Sequence, residues 1–193
     1  MPNERSLPGF LREGWIDLGP RSLLVRHPFV SQAACQGVES SVEVPEALAA
    51  LAQSHRACFG GLGLRKTAEW WNWRFHRHPG GRYLQVAARD ATGRLTGLAA
   101  GVIRKSRGIP IGYLVDFLAS SQAVLVRLAS GLARRLAAAA AVGVVSVVSS
   151  AALERALREA GFLKLGRRLP LKKFHTVARF RKVGGTVEEQ LRV

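Results

Sequence analysis

The chain has 193 residues, enough for one domain with its own hydrophobic core but too few for two complete domains. Hydrophobic residues make up 48% and charged residues 22% of the chain, which excludes wholesale disorder. With 29 basic against 13 acidic residues, the formal net charge is +16. We therefore expect a surface that attracts nucleic acid, acidic lipid or a phosphate-bearing small molecule.

The first half of the chain contains a predicted linker and two predicted helices. Residues Ser31–Val44 are small and polar, which is typical of a linker. Pro45 begins a helix that runs to about Phe59 and ends at a group of glycines. A second helix is predicted from Thr67, an acceptable N-cap, to His76, ahead of a Pro-Gly-Gly sequence that ends it.

Three strands joined by two turns follow these helices. Arg82–Arg89 alternates as a half-buried strand does, and Asp90–Gly93 is a hairpin turn signal that leads into the strand Arg94–Arg104. A second basic turn, Lys105–Gly108, precedes Ile109–Ala119, whose more apolar sequence predicts a central strand. These three strands are predicted to pair antiparallel.

The remaining elements alternate between helix and strand. Gln122–Ala141 is an amphipathic helix, Val144–Val148 a buried strand and Ala151–Ala160 a further helix, with final strands near Phe162–Leu169 and Lys172–Phe180. A strand, a long helix and an apolar strand in succession indicate a right-handed parallel crossover. The predicted fold class is therefore α+β, a mixed sheet of antiparallel hairpins and a parallel βαβ crossover with helices on both faces.

The chain shows neither a membrane span nor a signal peptide. Leu136–Leu153 carries no charge, but Gly143 divides it and serines interrupt it, so we read it as the end of a helix followed by a buried strand. The first residues, Met1 to Phe10, contain no apolar run. Two cysteines are too few to stabilise a domain of this size through disulfide bonds, and this low number suggests a reducing compartment. We expect a cytoplasmic protein.

A short internal repeat relates the two ends of the chain. Gly14–Arg21 aligns without gaps with Gly161–Arg168, and both read Gly, aromatic, aliphatic, any residue, Leu, Gly, any residue, Arg. Coincidence between two helix–Gly–strand junctions is one explanation. The other is that the chain contains the end of an earlier copy of the same domain. The domains are then a remnant of the first copy (residues 1–29), a linker (30–44), the second copy (45–180) and a tail (181–193).

The order of elements and several short motifs resemble a known family. The passage ending in Ala156–Phe162 resembles the closing half of the GNAT acyltransferases, and the residues from Trp73 to Asp116 are similar to tandem GNAT proteins of bacteria. The resemblance implies the C-terminal repeat of a tandem protein with a truncated first repeat. It implies a GNAT-like N-acyltransferase that transfers an acetyl or other acyl group from acyl-CoA to the amine of a small molecule or peptide.

In this family, acyl-CoA lies where two neighbouring parallel strands separate, with its pyrophosphate at the N-terminus of the next helix. The resemblance therefore implies a cofactor site made of Phe117, Leu118, Ala119, Ser120, Ser121, Gln122, Ala123 and Arg127. Leu125 and Arg127 stand where the family has small residues, and we expect their side chains to obstruct the phosphate. The alternative is that Ser120 and Ser121 only cap the helix.

The set of catalytic residues that the resemblance implies is incomplete in this sequence. Asp116 is the candidate general base for the amine proton, and the alternative is an aspartate that faces solvent or pairs with a neighbouring arginine. The tyrosine that many GNAT enzymes use as an acid is replaced by Leu157, and by Phe10 in the first repeat. We therefore expect a domain that is weakly active or inactive.

The second predicted helix carries candidate substrate-binding residues. Trp71, Trp73 and Arg74 are the candidates, and Trp71 is expected to lie outside the buried stripe formed by Trp70 and Trp73. The same residues suit base stacking, which leaves a second function open, a non-catalytic basic module that binds nucleic acid or another polyanion. The two histidines near the end of this helix lack partners at metal-site spacing, so no metal is predicted. An exposed sheet edge leaves a homodimer open.

Overall fold

In a computed structural model, the larger part of the chain is described. The described residues are 5–13, 16–20, 22–27, 38–39, 48–60, 66–77, 79, 82–148, 150–165 and 175–178. The chain divides into two compact units, a larger one, Leu23–Leu165, and a smaller one made of Met1–Ser22 and Gly166–Val193. The predicted tail, residues 181–193, lies outside the described residues.

The described residues form five helices and nine strands. In chain order these are α1 (Leu7–Arg12), β1 (Ile16–Pro20), β2 (Ser22–Arg26), β3 (Val38–Glu39), α2 (Leu48–Phe59), α3 (Ala68–Phe75), β4 (Tyr83–Arg89), β5 (Leu95–Ser106), β6 (Ile109–Ala119), α4 (Gln122–Ala138), β7 (Val144–Val148), α5 (Ala151–Glu159), β8 (Leu163–Lys164) and β9 (His175–Ala178). In the smaller unit, β1 and β9 pair antiparallel, with Ile16 opposite Ala178.

The larger unit is built on a seven-stranded sheet with the strand order β3-β4-β5-β6-β7-β2-β8. Strands β4, β5 and β6 pair antiparallel, and the turn between β4 and β5 closes with a 2.9 Å hydrogen bond from the Gly93 N–H to the Asp90 carbonyl. The middle strand is β6, and α4 connects it to the parallel strand β7. The α+β class with a mixed sheet is therefore confirmed.

Apolar helix faces cover both sides of this sheet. On one side α2 and α3 bury a cluster that includes Leu51, Trp71 and Phe75. On the other side α4 and α5 bury a larger cluster, which includes Leu128 and Leu157. Burial on both faces explains why β6 and β7 are apolar along most of their length, as expected for central strands.

Glycines on β5 let α4 approach the sheet closely. A Cβ atom at Gly97 would lie 2.5 Å from Cγ1 of Val124 and 2.6 Å from Cδ1 of Leu128. At Gly101 it would lie 2.9 Å from the carbonyl oxygen of Tyr113. These three distances are shorter than non-bonded atoms tolerate, so a methyl group at either position would force its neighbours to shift.

The helix boundaries follow local signals. Thr67 caps α3 as predicted, because its hydroxyl accepts the Trp70 N–H at 3.1 Å. Helix α4 begins at the predicted Gln122 but ends before the predicted Ala141. Ala140 there has a φ of 77°, and the Ala141 N–H bonds to the Leu136 carbonyl at 2.9 Å, a geometry that ends a helix. Within the described residues, no helix is long and apolar enough to cross a membrane.

Three segments pair with strands outside the domain or linker to which the sequence assigned them. The predicted linker contributes β3, where Val38 pairs with Ala88 on the edge of the sheet. Residues 23–26, assigned to a remnant of an earlier copy, form β2 between β7 and β8. Strand β9, expected in the main domain, pairs with β1 in the smaller unit. The physical reason is that strand edges need hydrogen-bond partners, which these segments supply.

Candidate functional site

The two central parallel strands separate before β6 ends. They pair at three consecutive positions, Gly112↔Val144, Tyr113↔Val145 and Leu114↔Ser146. Strand β6 then continues to Ala119 in register with β5, after a bulge at Val115. Among the described residues, the edge of β6 that faces β7 has no strand partner beyond Leu114, and we call this unpaired stretch between β6 and β7 the opening. Helix α4 begins at this end of β6, as the resemblance implies.

The direction of the β6 amides shows which groups face the opening. The Ser120 N–H bonds to the Thr96 carbonyl, next to β5, at 2.9 Å. Because successive N–H groups of a strand point to opposite edges, those of Phe117 and Ala119 point away from β5. The Phe117 N–H donates to Oδ1 of Asp116 at 2.8 Å, and the Ala119 N–H donates to Nδ1 of His55 at 3.1 Å.

His55, on α2, is the principal side chain at this edge. Its ring lies 4.7 Å from that of Phe59 and 6.2 Å from that of Phe117, measured between centroids. Burial and then the charge of Lys66 lower the pKa of His55 below 6.5, against the opposing effects of the Ala119 hydrogen bond and Asp116. Because Nδ1 accepts a hydrogen bond, the proton of the neutral ring lies on Nε2.

Asp116, the predicted general base, forms an ion pair. Its Oδ1 atom bonds to Nζ of Lys66, and the two side chains are 17% and 15% exposed. The partner is a lysine that precedes α3 rather than the arginine considered from the sequence. The carboxylate is therefore engaged by Lys66 and by the Phe117 amide, and a substrate amine has to compete with both.

The N-terminus of α4 is capped by its own chain. Ser121 accepts the Val124 N–H at 3.3 Å, which is the capping role considered as the alternative. The Gln122 side chain donates to Oε1 of Glu159 at 2.5 Å, and Ala123 is exposed. Leu125 is fully buried in the core, so the expected obstruction by its side chain is not found. The reason is that the fourth helical position faces the sheet.

The other cofactor residues lie on β6 and α4. Leu118 and Ala119 are buried, Phe117 and Ser120 are partly buried, and Arg127 is partly buried one turn further along α4. Leu157 is fully buried in the core, so this position supplies no acid to a leaving group. The structure brings the predicted cofactor residues and Asp116 together at one end of β6.

The predicted substrate residues of α3 do not form one surface. Trp71 was expected outside the buried stripe, and that expectation is wrong, because Trp71 is fully buried and donates its indole N–H to Gln85 at 2.7 Å. Trp73 is the exposed member, at 57%. Arg74 donates to the Tyr83 hydroxyl at 2.8 Å and lies over the Tyr83 ring. A helix buries positions four apart as readily as three apart, and here Trp71 and Phe75 are the buried pair.

A separate cleft of about 760 Å³ lies at the far end of α4. Its lining includes Gly131, Arg134 and Val142, near the C-terminus of the helix. A helix the length of α4 is about 25 Å long, so this cleft is remote from the opening beside β6. Within the described residues, no group of three His, Cys, Asp or Glu side chains is arranged to hold a metal ion.

Sequence reasoning missed His55 and Lys66. The one signal available for His55 was its spacing, because it lies four residues before Phe59 and therefore on the same face of the helix. Lys66 precedes the N-cap of α3 and carries no motif. Both residues reach the site through long-range contacts, His55 with Ala119 and Lys66 with Asp116, which the local sequence does not encode.

No protein-family model matches the sequence, and no curated protein matches it. Solved structures do match. A GCN5-related N-acetyltransferase from Anabaena variabilis has a TM-score of 0.53 at 14% identity over 76% of this chain and 37% of its own. A probable N-acyltransferase of unknown function from Enterococcus faecalis has a TM-score of 0.51 at 8% identity, over 72% and 35%.

A third similar structure is Saccharomyces cerevisiae N-myristoyltransferase with bound myristoyl-CoA, with a TM-score of 0.50 at 10% identity over 68% of this chain and 44% of its own. This chain spans less than half the length of these three proteins. At such identities the likeness shows the fold. The described residues of this chain therefore have the α+β fold of the GNAT N-acyltransferases.

Proposed function

We propose that this chain is a GNAT-like N-acyltransferase domain that transfers an acyl group from acyl-CoA to the amine of a small molecule or peptide. The observation that carries the proposal is the separation of β6 from β7 after Leu114, at the end of the sheet where α4 begins. The likeness of Gly14–Arg21 to Gly161–Arg168 supports a second repeat of a tandem protein as part of the same proposal. The small number of cysteines supports a cytoplasmic location.

The residues at this end of the sheet fit an acyl-CoA molecule. The first N–H groups of a helix have no carbonyl partner within it, so those of Gln122 and Ala123 suit the pyrophosphate, with the Ser121 hydroxyl beside them. Acyl-CoA supplies an acyl group activated as a thioester. The outward N–H groups of Phe117 and Ala119, once Asp116 and His55 release them, are the donors that would hold the carbonyl oxygen of that group and stabilise negative charge on it.

Catalysis by these residues is expected to be slow. In this proposal Asp116 accepts the proton of the attacking amine, and it does so only when Lys66 releases it. The buried Leu157 gives no proton to the departing thiolate. General acid or base catalysis contributes about 10²–10⁴-fold to a rate, so the loss of one such group leaves an enzyme with weak activity.

The alternative function, binding of nucleic acid or another polyanion, has less support. Its basis is the net charge of +16 together with the aromatic and basic residues of α3. Trp71 is buried and Arg74 is held by Tyr83, so of the three proposed contact residues Trp73 is the exposed aromatic one. A stacking platform needs several accessible rings.

Calorimetric titration with acetyl-CoA tests the proposed function, with two matched variants. Ala123→Glu places a carboxylate in the first turn of α4, and Ala151→Glu places the same group in the first turn of α5. Both changes suit a helix N-terminus electrostatically, so both proteins should fold. We expect Ala123→Glu to weaken binding at least tenfold and Ala151→Glu to leave it unchanged. Equal effects of both variants would contradict the proposal, and so would absence of binding at millimolar acetyl-CoA both by the wild-type protein and by His55→Ala, in which the Ala119 N–H loses its acceptor.

A further inference from the structure

Helix α2 passes the end of the sheet at the opening between β6 and β7. Leu48 and Leu51, in its first turns, belong to the core cluster that contains Trp71. Phe59, its last residue, is 5% exposed and belongs to the cluster on the opposite face of the sheet, together with Val124 and Val148. Helix α2 thus contributes to both cores, and its polar contacts with β6 fall on Ala119 and Ser120, at the end of that strand.

The polar groups at the end of β6 are bonded to α2 and to the segment that follows it. His55 accepts the outward N–H of Ala119, and Cys58 donates its S–H to the Ser120 carbonyl at 3.0 Å. Lys66 pairs with Asp116. Two of these three contacts, at the Ala119 N–H and the Asp116 carboxylate, occupy groups that the proposed acyl-CoA site needs.

We propose that α2 is a displaceable plug, in which His55 and Phe59 fill the opening between β6 and β7 and keep acyl-CoA out until the helix withdraws. The plug regulates the site of the proposed function and rests on that function. Its basis is competition for one donor, because the Ala119 N–H makes one strong hydrogen bond and the imidazole already holds it. Phe59, whose ring lies 4.7 Å from that of His55, adds an apolar side chain beside the imidazole.

The apparent affinity for acyl-CoA is proportional to the fraction of time for which the plug is open. A protein whose binding-competent state is populated a tenth of the time binds its ligand ten times more weakly than the open state would. Removal of the His55 ring frees the Ala119 amide and weakens one of the contacts that hold α2 closed. The variant is therefore expected to gain affinity, which is unusual for a substitution inside a binding site.

Hydrogen exchange measured by NMR tests the plug without any ligand. In His55→Ala we expect the Ala119 amide, which loses its acceptor, to exchange at least about tenfold faster than in the wild-type protein. The Ser120 amide is the internal control, because it bonds to Thr96 and should keep its rate. Gln53→Ala is the matched control on the exposed face of α2 and should change neither rate. Unchanged exchange at Ala119 in His55→Ala would overturn the plug.

Titration of the same proteins with acetyl-CoA tests the regulation. His55→Ala should bind about tenfold more tightly than the wild-type protein, and Gln53→Ala should bind equally to it. Equal binding by the wild-type protein and His55→Ala would overturn the plug and leave the proposed function intact. If none of the three proteins binds acetyl-CoA but Ala119 exchange changes as expected, the proposed function is overturned, and the regulatory role of α2 with it. The hydrogen bond between His55 and the Ala119 N–H would still be supported by that result.

Discussion

The indole N–H of Trp71 donates to Oε1 of Gln85 at 2.7 Å, and the two side chains are 0% and 8% exposed. The amide nitrogen of Gln85 lies 3.1 Å from Nε2 of His76. This buried contact joins α3 to β4 on the face of α3 that packs on the sheet. A buried polar pair of this kind is costly to break, because the remaining partner cannot bond to water.

Substitution of Trp71 should therefore destabilise the protein more than substitution of Trp73. Trp71→Phe removes the donor to Gln85, and we expect the free energy of unfolding to fall by about 1–3 kcal/mol. Trp73→Phe, at a position 57% exposed, should change it by less than about 0.5 kcal/mol. Urea unfolding followed by circular dichroism measures both values. Equal losses would mean that Gln85 finds another partner.

Gly97→Ala should destabilise the sheet–α4 interface. The new methyl group would lie 2.5 Å from Cγ1 of Val124 and 2.6 Å from Cδ1 of Leu128, so these side chains or α4 itself have to shift. We expect a loss of about 1–3 kcal/mol in the free energy of unfolding, as for other overpacked cores. Gly9→Ala adds the same methyl group where no heavy atom lies within 4 Å, and a loss there of similar size would point to a cause other than packing.

The stability of the protein should fall as the solution is acidified below about pH 6.5, partly because of His55. Its pKa is lowered in the folded protein by burial and by Lys66, with Asp116 acting in the opposite direction, so the unfolded chain binds more protons in this range. Stability then rises with pH up to the unfolded pKa of His55, and is lost as the pH falls from there towards the lowered pKa.

A comparison with His55→Gln isolates this contribution. Glutamine keeps an acceptor for the Ala119 N–H but does not titrate. We expect the denaturation midpoint of the wild-type protein to fall more between pH 7.5 and 5.5 than that of His55→Gln. Parallel curves for the two proteins would show that the imidazole titrates alike in the folded and unfolded states.

Alanine substitution of the two serine caps, Ser121 and Ser150, should have similar effects on stability but different effects on acetyl-CoA binding. Ser121 accepts the Val124 N–H at 3.3 Å, and Ser150 accepts the Leu153 N–H at 3.2 Å. Replacement of either by alanine should cost about 0.5–2 kcal/mol of stability. Only Ser121→Ala should also weaken acetyl-CoA binding, by about tenfold, since its hydroxyl lies beside the proposed pyrophosphate position. Equal affinities of the two variants in calorimetry would remove Ser121 from the binding site.

The sequence predicts the strands of the main sheet well where a buried apolar run and the neighbouring turn residues indicate the same bounds. Ile109–Ala119 and Val144–Val148 form strands with the predicted bounds, because buried strands are long apolar runs. Thr67 likewise caps α3, since a cap is a local contact between neighbouring residues.

The parts that the sequence did not predict depend on distant partners. Strand β3 is two residues long and has no pattern of its own, and it forms because the edge of β4 offers bonds at Ala87 and Ala88. The buried face of α3 was misassigned because spacing alone permits either stripe, and Gln85 on β4 decides between them. His55 reaches Ala119 from a different element of the chain, so no local motif marks it.

Strand β2 lies between β7 and β8 in the finished sheet, although nearly the whole larger unit separates it from them along the chain. During synthesis, β2 leaves the ribosome well before β7 and β8, and both of its edges lack their strand partners until these neighbours emerge. Contacts between such remote segments form slowly, because a large loop has to close before they bring any gain. The last step in folding is thus expected to be the docking of β2, and chaperones that bind extended apolar segments would have their best opportunity in that interval.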